Sequence, residues 1–203
     1  MSCFVFFTGY DLNLYHKTEI MYRYLALLRG INVGGNNIIK MADLKASFEK
    51  MGFSDVSTYI QSGNVVFTSP KKDQDKLALQ IEKALSETYN YKSKVALVSF
   101  DQMNTVFKEL PAGFGSDTVK YKYDVIFLRA KISPSEVLKE IKIRPGVDEA
   151  YAGSLALYFS RLAEKSSQSY LKNVMVLPVY KEMTIRNWNT TKALFEMMGG
   201  EIE

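Results

Sequence analysis

Residues 24–28 read Tyr-Leu-Ala-Leu-Leu, an unbroken apolar run of strand length that stops at Arg29 and Gly30. A run without polar alternation belongs to a central strand covered on both faces. The loop after it is rich in glycine and asparagine: Gly30, Asn32, Gly34, Gly35, Asn36 and Asn37. These residue types tolerate positive φ, and successive backbone N–H groups in such a loop can converge on an anion. Arg29 at the strand's end would add a planar, permanently charged fork. The same glycines would serve equally to turn the chain. No Gly-Lys-Ser/Thr follows and the spacing is not Gly-x-Gly-x-x-Gly, so neither nucleotide-loop signature is present.

At 203 residues, 47% hydrophobic and 24% charged, the chain has the composition of a globular protein with one large domain or two small ones. A net charge of +4, with Lys and Arg scattered, permits an anionic partner without requiring one. Residues 1–20 are unlike the rest: their apolar stretch 3–7 is too short for a secretion signal and has no basic region before it. Met21 stands directly before the first strand and is expected to be the natural start, with residues 1–20 an extension. That segment holds the only cysteine, Cys3, and the only histidine, His16. Over residues 21–203 a disulfide, a thiolate nucleophile, a Cys/His zinc site and an imidazole base are therefore excluded. If the protein is an enzyme, acid–base work falls to Asp, Glu, Lys or Tyr. No metal or particular cofactor is indicated. With no signal and no apolar run of membrane-spanning length, a cytoplasmic protein is expected.

The order of elements follows from periodicity. Leu44, Phe48 and Met51 lie at helical spacing over residues 41–51, and Gly52 ends that helix. Residues 55–60 and 64–68 are β-rich and joined by Gln-Ser-Gly, an antiparallel hairpin. A second helix covers 73–89, and 94–100 returns as a strand. This β-α-β-β-α-β order is that of a ferredoxin-like unit. Residues 101–109 then read as a short helix capped by Asp101, followed by a glycine-containing linker. The pattern repeats with a strand over 123–128, a helix opened by Ser133 and Pro134, and a hairpin of 147–151 with 154–159. A helix over 161–174, a strand over 182–186 and a terminal helix over 188–198 complete it.

Local similarity supports a duplication. Tyr24-Leu-Ala-Leu-Leu-Arg29 aligns with Tyr123-Asp-Val-Ile-Phe-Leu-Arg129, and residues 59–69 align with 151–160. The Gly-Gly-Asn-Asn loop of the first half is replaced by Ala130-Lys131-Ile132-Ser133 in the second, so only one half keeps the candidate anion nest. The expected fold is α+β: two tandem ferredoxin-like halves with mainly antiparallel sheets, plus a C-terminal helix. The first half spans 21–100, a connecting helix and linker 101–120, and the second half with its terminal helix 121–203.

Four segments together resemble one known family: Leu27-Leu28-Arg29-Gly30-Ile31-Asn32-Val33-Gly34-Gly35, Met41-Ala42-Asp43-Leu44, Gln61-Ser62-Gly63-Asn64-Val65 and Arg186-Asn187-Trp188-Asn189-Thr190. The chain resembles an uncharacterised bacterial family, domain of unknown function 1697, over essentially residues 21–198. The resemblance implies a cytoplasmic protein with two ferredoxin-like halves. It implies no activity, cofactor or catalytic residue.

The same motifs nominate a site. Arg29, Asn32, Gly34, Gly35, Asn64, Arg186, Asn187 and Trp188 are the candidate residues for a phosphorylated or otherwise anionic ligand, because glycine nests and helix N-termini both favour anions. Trp188 would be available to stack on a base or ring. Each has a structural alternative: Trp188 as a core anchor, Asn187 as a helix N-cap, the segment 62–64 as a plain hairpin turn, and either arginine in an ion pair with Asp43 or Glu182. The hairpin turn and the glycine loop can also fall at opposite ends of the sheet. Two other readings stand beside the small-ligand one: an RNA- or DNA-binding module, which lacks the aromatic RRM string at 64–69, and an interaction scaffold.

Overall fold

In a computed structural model the described residues are 20–32, 34–35, 37–129 and 132–202. The expected extension, apart from Ile20, lies outside them. Two four-stranded antiparallel sheets form the frame. The first contains β1 (Tyr22–Leu28), β2 (Ser54–Tyr59), β3 (Asn64–Ser69) and β4 (Val95–Ser99), in the order β2-β3-β1-β4. The second contains β5 (Tyr121–Leu128), β6 (Asp148–Ala152), β7 (Ala156–Leu162) and β8 (Met183–Asn187), in the matching order β6-β7-β5-β8. The two halves are thus tandem copies of one topology.

The unbroken apolar run is explained by layers. Tyr24, Ala26 and Leu28 face α1 (Met41–Lys50) and α2 (Gln74–Tyr89), where Leu44, Phe48, Leu77, Ile81 and Leu85 are buried against them. The alternate residues Leu25 and Leu27 face the other way into a core shared with the second sheet, which contributes Val125, Phe127 and Tyr158. Period-two alternation therefore buries both faces of one strand. Filling that shared core are α3 (Phe100–Lys108) and α5 (Trp188–Met197), one from each half. A third cluster, with Ile126, Leu157 and Phe159, lies on the outer face of the second sheet under α4 (Pro134–Glu140).

Two expectations are corrected. The helix after β4 is capped by Ser99, whose hydroxyl accepts from the Gln102 backbone N–H while the Gln102 side chain accepts from the Ser99 N–H, a complete capping box; Asp101 lies inside the first turn. The expected helix over 161–174 does not form. Arg161 and Leu162 continue β7 in register with Lys122 and Tyr121, and three 3-10 segments follow at Ser166–Gln168, Tyr170–Val176 and Pro178–Glu182. Within the expected span the first two residues are taken by β7, and the serines that follow compete for backbone hydrogen bonds, as Ser169 does by accepting from the Leu171 N–H. The chain there turns in short 3-10 segments in place of an α-helix.

Candidate functional site

The hairpin turn and the glycine loop lie at the same end of the first sheet. Antiparallel pairing sets Leu27 opposite Asn64, and the Leu28 N–H donates to the Gly63 carbonyl at 2.7 Å. Gly63 has φ +74, and a Cβ there would come within 2.8 Å of Ile31 and Leu28, so the turn accepts only glycine. Asn32, itself at φ 54, clasps the loop shut: its Nδ2 donates to the Ile39 and Gln61 carbonyls and its Oδ1 accepts from the Ile39 N–H. Gly34 and Gly35, both at positive φ, sit exposed at the tip.

Arg186 reaches this place from β8 in the other half. It is 8% exposed, and all five of its N–H groups find protein acceptors. Nε donates to Asn64 Oδ1 at 2.6 Å, Nη1 to Thr184 Oγ1 at 2.6 Å and the Ile185 carbonyl at 3.0 Å, and Nη2 to the Leu28 and Ser62 carbonyls at 2.9 and 3.1 Å. No carboxylate among the described residues pairs with it, and burial pulls its pKa down to about 10. A guanidinium with no free donor has nothing left for an anion. It plugs a seat made by the first half.

The duplication can be read residue by residue from strand register. Leu28 stands opposite Val95 and Leu128 opposite Met183, so Arg29 corresponds to Arg129 and Val95 to Met183. Both arginines cross to the partner half at that same position. Arg29 Nη1 donates to the Tyr180 carbonyl and to Met183 O at 2.6 Å, with its guanidinium 4.1 Å over the Tyr180 ring. Arg129 Nε donates to Val95 O at 3.2 Å, while Nη2 pairs with Glu82 at 2.6 Å and Nη1 with Glu182. Continuing the register, Ser99 corresponds to Asn187; each caps the helix that follows it, Asn187 by accepting from the Thr190 N–H at 2.8 Å. Phe100 corresponds to Trp188, which is 6% exposed and packed on Phe107 and Phe114 in the shared core.

The symmetry breaks at one place. The counterpart of Arg186 is Val98, and the counterpart of Asn64, set by Leu27 opposite Asn64 and Phe127 opposite Ala156, is Ala156. The turn is also shorter: residues 60–63 separate β2 from β3, whereas Gly153 already bonds back to Ala156 in the second half. Three losses of bulk coincide, and a cleft of about 520 Å³ opens there between the halves. Val95, Val98, Val106, Phe127 and Leu155 supply apolar walls; Gln74, Asp75, Gln102, Arg129, Ser154 and Glu182 supply polar groups toward the rim. Ser154 is fixed by Glu109, the C-terminal cap of α3, since its N–H and hydroxyl both donate to Glu109 Oε2.

Of the residues nominated by sequence, then, Arg29, Asn32, Asn64 and Arg186 meet at one end, Gly34 and Gly35 lie exposed on the same loop, and Asn187 and Trp188 serve a cap and the core. Sequence reasoning missed Arg129, Glu82 and the cleft at Val98. The Arg29/Arg129 alignment was the available signal for Arg129; Glu82 had none.

Among the described residues no three of His, Cys, Asp and Glu gather as metal ligands, and no helix is long and apolar enough to cross a membrane. The family described as a protein of unknown function, DUF1697, matches residues 21–158. The chain belongs to that family. A solved structure, that of the conserved bacterial protein SP0830 from Streptococcus pneumoniae, is 28% identical, covers 88% of this chain and 99% of its own, and superposes with a TM-score of 0.78. No curated protein matches the chain.

Proposed function

We propose that the protein holds a small molecule in the cleft beside Val98. The observation that carries this is the asymmetry of the duplication: one seat is plugged by Arg186, and its counterpart, lacking the arginine, the asparagine and two turn residues, is open. The volume of about 520 Å³ lies within the range of roughly 300–1,000 Å³ usual for ligand sites, which favour domain interfaces and apolar walls with few polar groups. The ligand class this favours is a compact, largely apolar molecule with one hydrogen-bonding end. Gln102, through its Nε2 donor, and Ser154, through Oγ as an acceptor, are suited to that end, because Gln102 Oε1 already accepts from Ser99 and Gln74, the Ser154 hydroxyl already donates to Glu109, and Arg129 is engaged by two carboxylates. The motif residues Arg29, Asn64 and Arg186 then act as builders that fix one half against the other. A sheet-face nucleic-acid platform has less support, since the first sheet is covered on both sides.

The test fills the cleft. A thermal-shift screen of small neutral metabolites is run on the wild type, on Val98→Arg, which imitates the plugged seat, and on Val98→Phe. A ligand at about a hundredfold its Kd should stabilise the wild type by roughly 2.7 kcal/mol, a rise on the order of 5 °C. Both variants should lose that rise while keeping their own cooperative melt. Ligands that stabilise wild type and both variants alike would place binding elsewhere.

A further inference from the structure

The irregular segment of the second half opens a second, separate site. In the first half α2 lays Leu77, Ile81 and Leu85 across its sheet. The second half has only 3-10 turns in the corresponding connection between β7 and β8, and they leave a groove of about 390 Å³ over the outer face of the sheet. Its polar lining is Lys122, Arg161, Lys172, Ser166, Ser167 and Ser169, without a carboxylate among the described residues.

From this geometry we infer that the groove is a binding site for a phosphate monoester. Lys122, Lys172 and an Arg161 whose charge is shared with Asp124, together with three hydroxyls, supply charge and directional donors on one small concave surface for an anionic head. Arg161 is held ready for such a head, because its Nη1 is anchored by Asp124, a carboxylate 6% exposed, while its Nε and Nη2 carry no partner among the described residues. Lys122 Nζ lies 3.3 Å from Ser166 Oγ, which orients that hydroxyl at the edge of the same surface. Lys172 is exposed and unpaired among the described residues. Opposite the basic groups, Leu171, Met175, Tyr180 and Ile185 form an apolar wall. A head group alone would leave that wall empty, so the ligand is a phosphate on an apolar or aromatic stem. The groove is independent of the Val98 cleft, with which it shares no lining residue.

The experiment titrates the full chain with phenyl phosphate, inorganic phosphate and a single-stranded oligonucleotide, followed by calorimetry and by amide shifts. Phenyl phosphate should bind more tightly than inorganic phosphate, move the amides of Ser166, Ser167 and Lys172, and weaken as salt is raised. Lys122→Ala and Lys172→Ala should each weaken it roughly tenfold with an unchanged melting temperature, both side chains being exposed. Ser167→Ala, also at an exposed position, gives a milder variant that keeps all the charge and should weaken binding several-fold. Val98→Phe should leave this affinity unaltered. Failure of phenyl phosphate to shift these amides, or wild-type affinity in both lysine variants, would overturn the assignment. Tighter binding of the oligonucleotide to the same residues would also overturn it, in favour of a phosphodiester surface.

Discussion

Arg186 decides more of this structure than any other residue. Removing it leaves Asn64 Oδ1 and the Leu28 and Ser62 carbonyls without their donors, at a site where water has been excluded. Each buried acceptor so orphaned costs about 1–3 kcal/mol. Arg186→Ala is therefore expected to lower the unfolding free energy by on the order of 3 kcal/mol, read from urea midpoints. Arg186→Lys should recover less than half of it, because an ammonium has three donors on one atom and cannot serve acceptors on several sides. The pH dependence has a definite sign. Burial lowers the folded-state pKa to about 10, below the unfolded value, so the native state binds fewer protons than the unfolded one only above about pH 10. Stability gained from this group rises with pH in that alkaline window alone, and the cost of Arg186→Ala should be flat between about pH 5 and 9. A cost under about 0.5 kcal/mol, or one that varies across that range, would contradict the plug.

At the scale of elements, caps and turns separate what periodicity gives from what it hides. Ser99→Ala should cost about 1 kcal/mol, since it removes the capping box of α3, while Asp101→Ala should cost only a few tenths through the helix dipole. Equal losses in the two variants, measured by denaturant unfolding, would mean that the cap is shared. Strands such as β1 and helices such as α2 were legible because Leu25/Leu27 and Leu77/Ile81/Leu85 repeat with the period of the element that buries them. The connection over 163–182 was not, because its leucines and valines fit a helical stripe while Ser166, Ser167, Ser169 and Pro178 break the hydrogen-bond ladder locally. The meeting of Arg29, Asn32, Asn64 and Arg186 was legible as a set of motifs, but not their engagement with protein acceptors, which depends on the docking of the halves. The cleft had no positive signal at all: a valine where the other half has an arginine becomes informative only once strand register equates Val98 with Arg186.

For the whole molecule the question is whether two similar halves behave as one unit. Their shared core contains residues from both sheets and from α3 and α5, and polar ties cross it repeatedly: Arg29 in one direction, Arg186 and Arg129, the latter with Glu82, in the other, and the Tyr158 hydroxyl donating to the Val106 carbonyl at 2.7 Å. Neither half could unfold without exposing the apolar inner face of its neighbour and stranding these groups. Equilibrium unfolding should accordingly be a single transition despite the tandem architecture. Trp188 makes this measurable, because the only tryptophan sits in the shared core while Leu44 lies in the outer core of the first half, far along the chain. Leu44→Ala should cost about 2–5 kcal/mol and should shift the Trp188 fluorescence transition and the far-ultraviolet circular dichroism transition by the same amount. If the dichroism midpoint fell while the Trp188 midpoint stayed, the halves would be separate folding units. Coincident shifts would mean that the cleft at Val98 is walled by one cooperative body, with a shape set by both halves together.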